Sequence, residues 1–161
     1  MNKFLTIKNF NFVVALICIF SLLSAVYIEK VLGVIPCKLC MYQRIPYMIA
    51  IFFCFLGYNY YKNLLWMYFL IITFFSSLML AGYHFGIEND LFPEFSGCTT
   101  DNLNLVDKEK LLESLSQIIP NCKDVTFKLF GLSLATINLF ISILISLYTV
   151  KLLINEKNRS N

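Results

Sequence analysis

Charged side chains are scarce in this sequence: Asp, Glu, Lys and Arg make up 14% of its 161 residues, whereas 58% are hydrophobic. The mean hydropathy of +0.71 lies outside the range of ordinary soluble domains. The formal net charge of +3 is small and spread over ends and loops, so it gives no reason to expect nucleic-acid binding. So little polar sequence leaves no room for a separate soluble domain, and we predict one integral membrane domain over residues 1–161.

A signal-peptide cleavage site is also missing after the first apolar run. That run, Phe12 to Ile28, exceeds the roughly 7–15 residues of a signal core. The nearest candidate site, Leu23-Ser24-Ala25, places Leu where a small residue is needed. The sequence therefore predicts a retained first helix.

Four apolar stretches reach the roughly 17–25 residues that a helix needs to cross a bilayer. This pattern predicts an all-α, four-helix membrane bundle. The helices are predicted at about 10–28, 41–61, 64–87 and 129–150, with extracytoplasmic loops at 29–40 and 88–128.

The basic residues give only partial guidance on orientation. Both short tails are basic, which favours cytoplasmic N- and C-termini, but the first outer loop would then be basic as well. The cysteines decide the matter. With both termini in the cytoplasm, Cys37, Cys40, Cys98 and Cys122 all face outward, where disulfides persist.

The sequence has a single closely spaced cysteine pair, Cys37-Lys38-Leu39-Cys40, just before the second apolar run. Two thiols separated by two residues can close a small, easily reduced ring. Lys38, Arg44 one turn further on, and the positive end of the second helix should all lower a thiolate pKa. A purely structural disulfide would gain nothing from them, so the pattern favours thiol–disulfide exchange at a membrane surface.

A second tight pair is lacking, and so is a histidine near the cysteines in the sequence. Cys98 and Cys122 lie 24 positions apart, whereas a structural zinc site usually has two tight pairs. We therefore predict no metal and two disulfides, Cys37–Cys40 and Cys98–Cys122.

The long outer loop has an amphipathic pattern of its own. Apolar residues within 111–119 recur at helical spacing, and Pro120 ends the pattern. The pattern predicts a short helix between Cys98 and Cys122 that lies on the bilayer surface or packs against the bundle.

Four other side chains each have a plain alternative to a functional role. Cys18 and Cys54 lie inside apolar runs and are interpreted as small hydrophobic residues. Arg44 could reach lipid headgroups, or it could stabilise a thiolate at Cys40 or a reduced quinone oxygen. His84, near the outer end of the third helix, could be a simple interfacial histidine or a functional one.

Residues 35–44, Ile-Pro-Cys-Lys-Leu-Cys-Met-Tyr-Gln-Arg, resemble the signature of the DsbB family of disulfide-bond-forming membrane proteins. In that family C-x-L-C-x-Y-x-R opens the second of four helices. The segment 82–88 is similar to the end of the family's third helix, and 130–134 to the entry to its fourth. The resemblance covers almost the whole chain in order and includes the cysteine pair of the long loop.

The resemblance implies a protein-disulfide oxidoreductase of the bacterial inner membrane with a quinone, ubiquinone or menaquinone, as acceptor. Its partner would be a soluble periplasmic DsbA-like oxidase of thioredoxin fold. The family order implies that the partner attacks Cys98, that Cys122 then attacks Cys37, and that Cys40 is released to reduce the quinone.

Two quinone-site residues are also implied by the resemblance. Arg44 matches the family arginine that supports the quinone site, and His84 aligns approximately with a family histidine near it. Position 43 is Gln, where some relatives carry an acid, which leaves a proton role for that position open.

Two other classes of protein have a related pattern. A vitamin K epoxide reductase-like quinone oxidoreductase also has four membrane helices and two cysteine pairs, but its tight pair follows its loop pair, the reverse of the order here. A non-enzymatic membrane scaffold could use the disulfides to brace the outer loop. Such a scaffold would neither bind quinone nor consume thiols.

Overall fold

Four long helices make up most of the part of the chain that the structure, a computed structural model, describes: residues 7–93, 122–123, 127–129 and 131–160. Each of the four is long and apolar enough to cross a membrane. The predicted all-α membrane bundle is therefore confirmed. The helices are α1 (Ile7–Lys30), α2 (Lys38–Asn59), α3 (Leu65–Glu88) and α4 (Leu134–Ser160), and a hairpin of β1 (Lys128–Leu129) and β2 (Leu132–Ser133) precedes α4.

Successive helices pack against each other: α1 on α2, α2 on α3, and α3 on α4. Most of the core between them is apolar, and Cys18 and Cys54 are buried in its hydrophobic part, as expected for small hydrophobic side chains. Large apolar side chains also cover the outside of the bundle; Phe20, for example, is 73% exposed. An apolar exterior of this kind suits lipid as the solvent.

The α1–α2 interface depends on one glycine. A Cβ atom added at Gly57 would lie 2.5 Å from Nδ2 of Asn11, a buried residue of α1. Membrane helices commonly approach each other at such small residues. The buried Asn11 side chain therefore occupies the space that a side chain at residue 57 would need.

The fourth helix differs most from its predicted span. It begins at Leu134 rather than 129, because residues 128–129 pair with 132–133 as a short antiparallel hairpin. Gly131 lies in the turn with φ of 82°, a conformation that favours glycine. Ser133 then caps the helix, since its Oγ accepts a hydrogen bond from the Thr136 amide at 3.1 Å. The helix also continues to Ser160, past the predicted end at 150.

The first interhelical loop is shorter than the predicted 29–40. Because α1 runs to Lys30 and α2 begins at Lys38, only residues 31–37 connect them. Cys40 consequently belongs to the first turn of α2. The predicted amphipathic helix within 111–119, and Cys98, lie outside the described residues.

Candidate redox site at the start of helix α2

Cys37 and Cys40 meet across the first turn of α2. Cys37 is the N-cap residue of the helix, with φ −67° and ψ 164°, and its Sγ accepts a hydrogen bond from the Cys40 amide at 3.2 Å. The two sulfur atoms lie 2.7 Å apart, and both cysteines are free thiols here. The spacing of two residues therefore brings both thiols together at a helix N-terminus, as predicted.

The Cys37 thiol is unusually acidic. Its hydrogen bond with the Cys40 thiol is the largest influence that lowers the pKa of Cys37 from 9.0 to about 5. Burial opposes this shift, whereas His84 and the Cys40 backbone amide add to it. A low pKa was predicted, and the Cys40 amide that contributes to it belongs to the first turn of α2. The other stabilising groups are Cys40 and His84, however, rather than the predicted Lys38 and Arg44.

His84 approaches the dithiol from α3. Its Nε2 lies 3.7 Å from Cys37 Sγ and 3.7 Å from Oε1 of Glu88, one turn further along the same helix. The ring is 3% exposed and also hydrogen-bonds to the backbone of Cys122. The structure thus places His84, an approximate match in the sequence, directly beside the redox pair.

Cys122 brings the distant cysteine pair to the same place. It is disulfide-bonded and packs in a small buried cluster with Cys37, Leu39 and Ile87. Its predicted partner, Cys98, lies outside the described residues. One sulfur of the long-range pair is therefore buried against the tight pair in the folded chain.

Glu88 was missed as a site residue by the sequence analysis. Its side chain is 8% exposed, and its Oε2 accepts a hydrogen bond from Ser133 Oγ at 2.5 Å. This bond ties the end of α3 to the cap of α4. An acidic residue at the end of an apolar run was a visible signal, but only the fold shows that the carboxylate turns inward beside His84.

Arg44 forms an ion pair with a residue of α1. Its Nη1 donates to Oε2 of Glu29 at 2.6 Å, across the α1–α2 interface. Both side chains are largely buried, 20% and 23% exposed respectively. Arg44 therefore links two helices near the dithiol.

The dithiol and His84 also form a group of potential metal ligands. The Sγ atoms of Cys37 and Cys40 and a ring nitrogen of His84 all lie within 4.8 Å of one another. No histidine is near the cysteines along the sequence, but one is near them in space. Only the reduced pair could hold a thiophilic ion, because a disulfide has no thiolate to offer. The absence of a metal remains a prediction.

A dithiol at one end of four membrane-length helices, with one buried and acidic thiol and a disulfide-bonded cysteine in the same buried cluster, defines a membrane-embedded thiol–disulfide protein. Residues 7–152 match the family described as Disulfide bond formation protein DsbB. The chain belongs to the DsbB family, and it is therefore a multi-pass membrane disulfide oxidoreductase of disulfide-bond formation. An uncharacterized protein of Rickettsia prowazekii (strain Madrid E) is 26% identical over an alignment of 161 positions. The alignment covers 94% of this chain and 90% of that protein.

Proposed function

We propose that the chain re-oxidises a soluble, periplasmic DsbA-like thiol oxidase and passes the electrons to a membrane quinone, ubiquinone or menaquinone. Electrons travel from the Cys98–Cys122 pair to the Cys37–Cys40 pair. The observation that carries this proposal is the packing of disulfide-bonded Cys122 against Cys37. A relay between two disulfides needs such a junction.

The exchange steps balance as follows. A partner thiolate attacks Cys98, the bridge to Cys122 breaks, and Cys122 leaves as a thiolate. Cys122 then attacks Cys37 of the tight disulfide, which releases Cys40 as a thiolate. The partner's second thiol frees Cys98, which re-forms its bridge to Cys122 and leaves Cys37 and Cys40 as a dithiol.

The quinone accepts two electrons and two protons from that dithiol, so the tight disulfide is restored. The sum is one partner dithiol oxidised to a disulfide and one quinone reduced to a quinol. Arg44 and His84 are the proposed quinone-site residues. His84 is supported by its contact with Cys37, and Arg44 by its place one turn after Cys40 on α2.

The acidity of Cys37 favours this direction of electron flow. Its pKa near 5 keeps the thiol ionised at neutral pH, which stabilises the reduced pair. Stabilising the reduced form makes the corresponding disulfide a stronger oxidant, as in the DsbA example at roughly −120 mV. The Cys37–Cys40 disulfide is thereby suited to take electrons from the wider pair.

Trapping experiments test the order of the relay. Replacing Cys122 by Ser should leave Cys98 unresolved and accumulate a covalent complex with a partner that has only its attacking cysteine. Replacing Cys40 by Ser should abolish quinone reduction while Cys98–Cys122 still accepts one thiol attack. Cys54→Ala, in the apolar core, is the matched control and should behave like the wild type.

Two results would refute the proposal. Complexes trapped chiefly through Cys37 or Cys40 would show that the order is wrong. Purified protein that neither consumes partner thiols nor reduces quinone would leave only the disulfide-braced scaffold.

A further inference from the structure

A hydrogen-bonded network of buried polar side chains, the polar network, runs from His84 into the bundle. Gln43 donates from Nε2 to His84 Nδ1 at 3.1 Å, and its Oε1 accepts from Asn138 Nδ2 at 3.0 Å. Asn138 Oδ1 in turn accepts from the Tyr47 hydroxyl at 2.5 Å and from Ser142 Oγ at 3.3 Å. These five side chains come from α2, α3 and α4 and are all buried. Burying a polar group costs free energy unless the group is hydrogen-bonded, so a continuous polar network indicates a specific arrangement.

The hydrogen bonds of the polar network have a defined donor-to-acceptor direction. Gln43 Nε2 also donates to the backbone carbonyl of Leu80 at 3.5 Å. A carbonyl oxygen can only accept, so this contact fixes which end of the Gln43 amide carries the N–H groups. Asn138 supports the same orientation, because its amide nitrogen faces the Gln43 oxygen.

The direction of these hydrogen bonds determines the tautomer of His84. Since Gln43 offers an N–H to Nδ1, that ring nitrogen must be the acceptor and carries no proton. The ring proton of the neutral imidazole therefore lies on Nε2. This is the nitrogen that faces Cys37 Sγ and Glu88 Oε1, each at 3.7 Å.

We propose that Gln43 and Asn138 are positioning residues, which hold His84 in its Nε2–H tautomer so that the ring donates toward the Cys37 sulfur. The catalytic relevance of this arrangement rests on the proposed function, since it concerns the thiol that passes electrons on. In the other tautomer a nitrogen lone pair would face a thiolate and a carboxylate, which is repulsive. The polar network thus orients a hydrogen-bond donor, His84 Nε2–H, toward the Cys37–Cys40 pair.

The sequence contains one histidine, which makes a direct test possible. Protein labelled with ¹⁵N only in histidine gives ring signals from His84 alone, and the two tautomers and the imidazolium have different ¹⁵N shifts. We expect the wild type, with the tight pair oxidised, to show a proton on Nε2 and a bare Nδ1. Protonation chiefly at Nδ1 would overturn the proposal.

Three variants separate positioning from general stability. Gln43→Met removes the donor to Nδ1, and Asn138→Leu removes one of the two contacts that orient the Gln43 amide, so both variants should produce mixed tautomers. Gln43→Glu should draw a proton onto Nδ1, since a carboxylate accepts where the amide donated. Thr149→Val is the control: among the described residues this buried α4 hydroxyl donates to Ile145 O of its own helix, at 2.6 Å, and the variant should keep the wild-type signals. Unchanged signals in both Gln43 variants would also overturn the proposal.

A kinetic measurement connects the tautomer to the reaction. In Asn138→Leu, oxidation of the Cys37–Cys40 dithiol by a soluble ubiquinone analogue should slow by about ten- to a hundredfold, the scale of a misplaced catalytic group. Trapping of the partner through Cys98 should not change. An unaltered oxidation rate despite mixed tautomers would show that the positioning has no catalytic role. If the wild type has the expected tautomer but no quinone activity, the proposed function fails and the tautomer assignment stands.

Discussion

The identity of the groups around Cys37 determines its reactivity at the scale of single residues. Fixed cations in the sequence, Lys38 and Arg44, were the obvious candidates for stabilising a thiolate. In the fold, the neighbouring thiol, a histidine from another helix and a backbone amide stabilise it instead. Such short-range hydrogen bonds are less sensitive to salt than surface charges are.

The pH dependence of Cys37 alkylation follows from its pKa of about 5. The thiolate is the nucleophile, so the reaction should be slow below pH 5, rise through pH 5 and reach a plateau near neutral pH. In Cys40→Ala the largest stabilising hydrogen bond is gone, and the midpoint should move upward toward the ordinary thiol range. Mass spectrometry of reduced protein after timed alkylation would measure both. A wild-type midpoint near the ordinary value of 9.0 would contradict the geometry.

Arg44 can be tested together with its partner Glu29. If Arg44 contacts the quinone, Arg44→Ala should remove a charge-assisted contact and weaken apparent quinone affinity by about ten- to a hundredfold, corresponding to roughly 1.5–3 kcal/mol. Glu29→Gln leaves the guanidinium in place and should retain most of that affinity. The measurement is the dependence of rate on quinone concentration.

The opposite pattern would assign Arg44 a structural role. Equal loss of thermal stability in both variants, with unchanged quinone dependence, would mean that the ion pair only joins α1 to α2.

At the scale of elements, the sequence predicted three of the four helices to within three residues at each end. Long apolar runs are a strong signal, because only a helix satisfies its backbone in lipid. The start of α4 was missed because a hairpin with two strands of two residues each, β1 and β2, forms at the beginning of the same apolar run. Strands this short carry no periodicity that could distinguish them from a helix.

The site was predicted as far as local spacing allowed. Cys37, Cys40 and Arg44 share one motif, and their type and spacing indicated chemistry directly. Gln43 and Asn138 are 95 positions apart, and their hydrogen bond exists only because the fold brings α2 and α4 together beside His84. A single sequence holds no signal for that pairing.

The close α1–α2 contact gives a prediction at the same scale. Gly57→Ala places a methyl group 2.5 Å from Asn11 Nδ2, so the buried amide or the helix must shift. Overpacking of this kind typically costs about 1–3 kcal/mol. Gly82→Ala is the matched control, since among the described residues its methyl group would meet Leu139 Cδ1 at an ordinary 3.8 Å.

Thermal unfolding of the two variants in detergent checks this contact. The apparent Tm should fall for Gly57→Ala and stay level or rise slightly for Gly82→Ala, because Ala favours helix over Gly. Equal Tm values for Gly57→Ala and the wild type would show that the interface is looser than described.

For the whole molecule, the proposal requires that the dithiol end face the periplasm and both termini the cytoplasm. Val31, beside that end, is 63% exposed, and Tyr60, in the α2–α3 turn, is 61% exposed. Under non-reducing conditions, a membrane-impermeant thiol reagent should label Val31→Cys in intact cells. Tyr60→Cys should be labelled only after the inner membrane is opened. The reverse result would refute both the orientation and the periplasmic partner.

The burial of the junction between the two cysteine pairs also has a kinetic consequence. Cys37 is 6% exposed and Cys122 is 2% exposed, so small thiols in the surrounding medium have little access to either sulfur. In the proposed relay, transfer between them would take place within one chain, where effective molarities far exceed any soluble thiol concentration. In the proposed relay, dilution would slow only the encounter with the partner. Electrons would therefore pass from one pair to the other with little loss to small thiols in the medium.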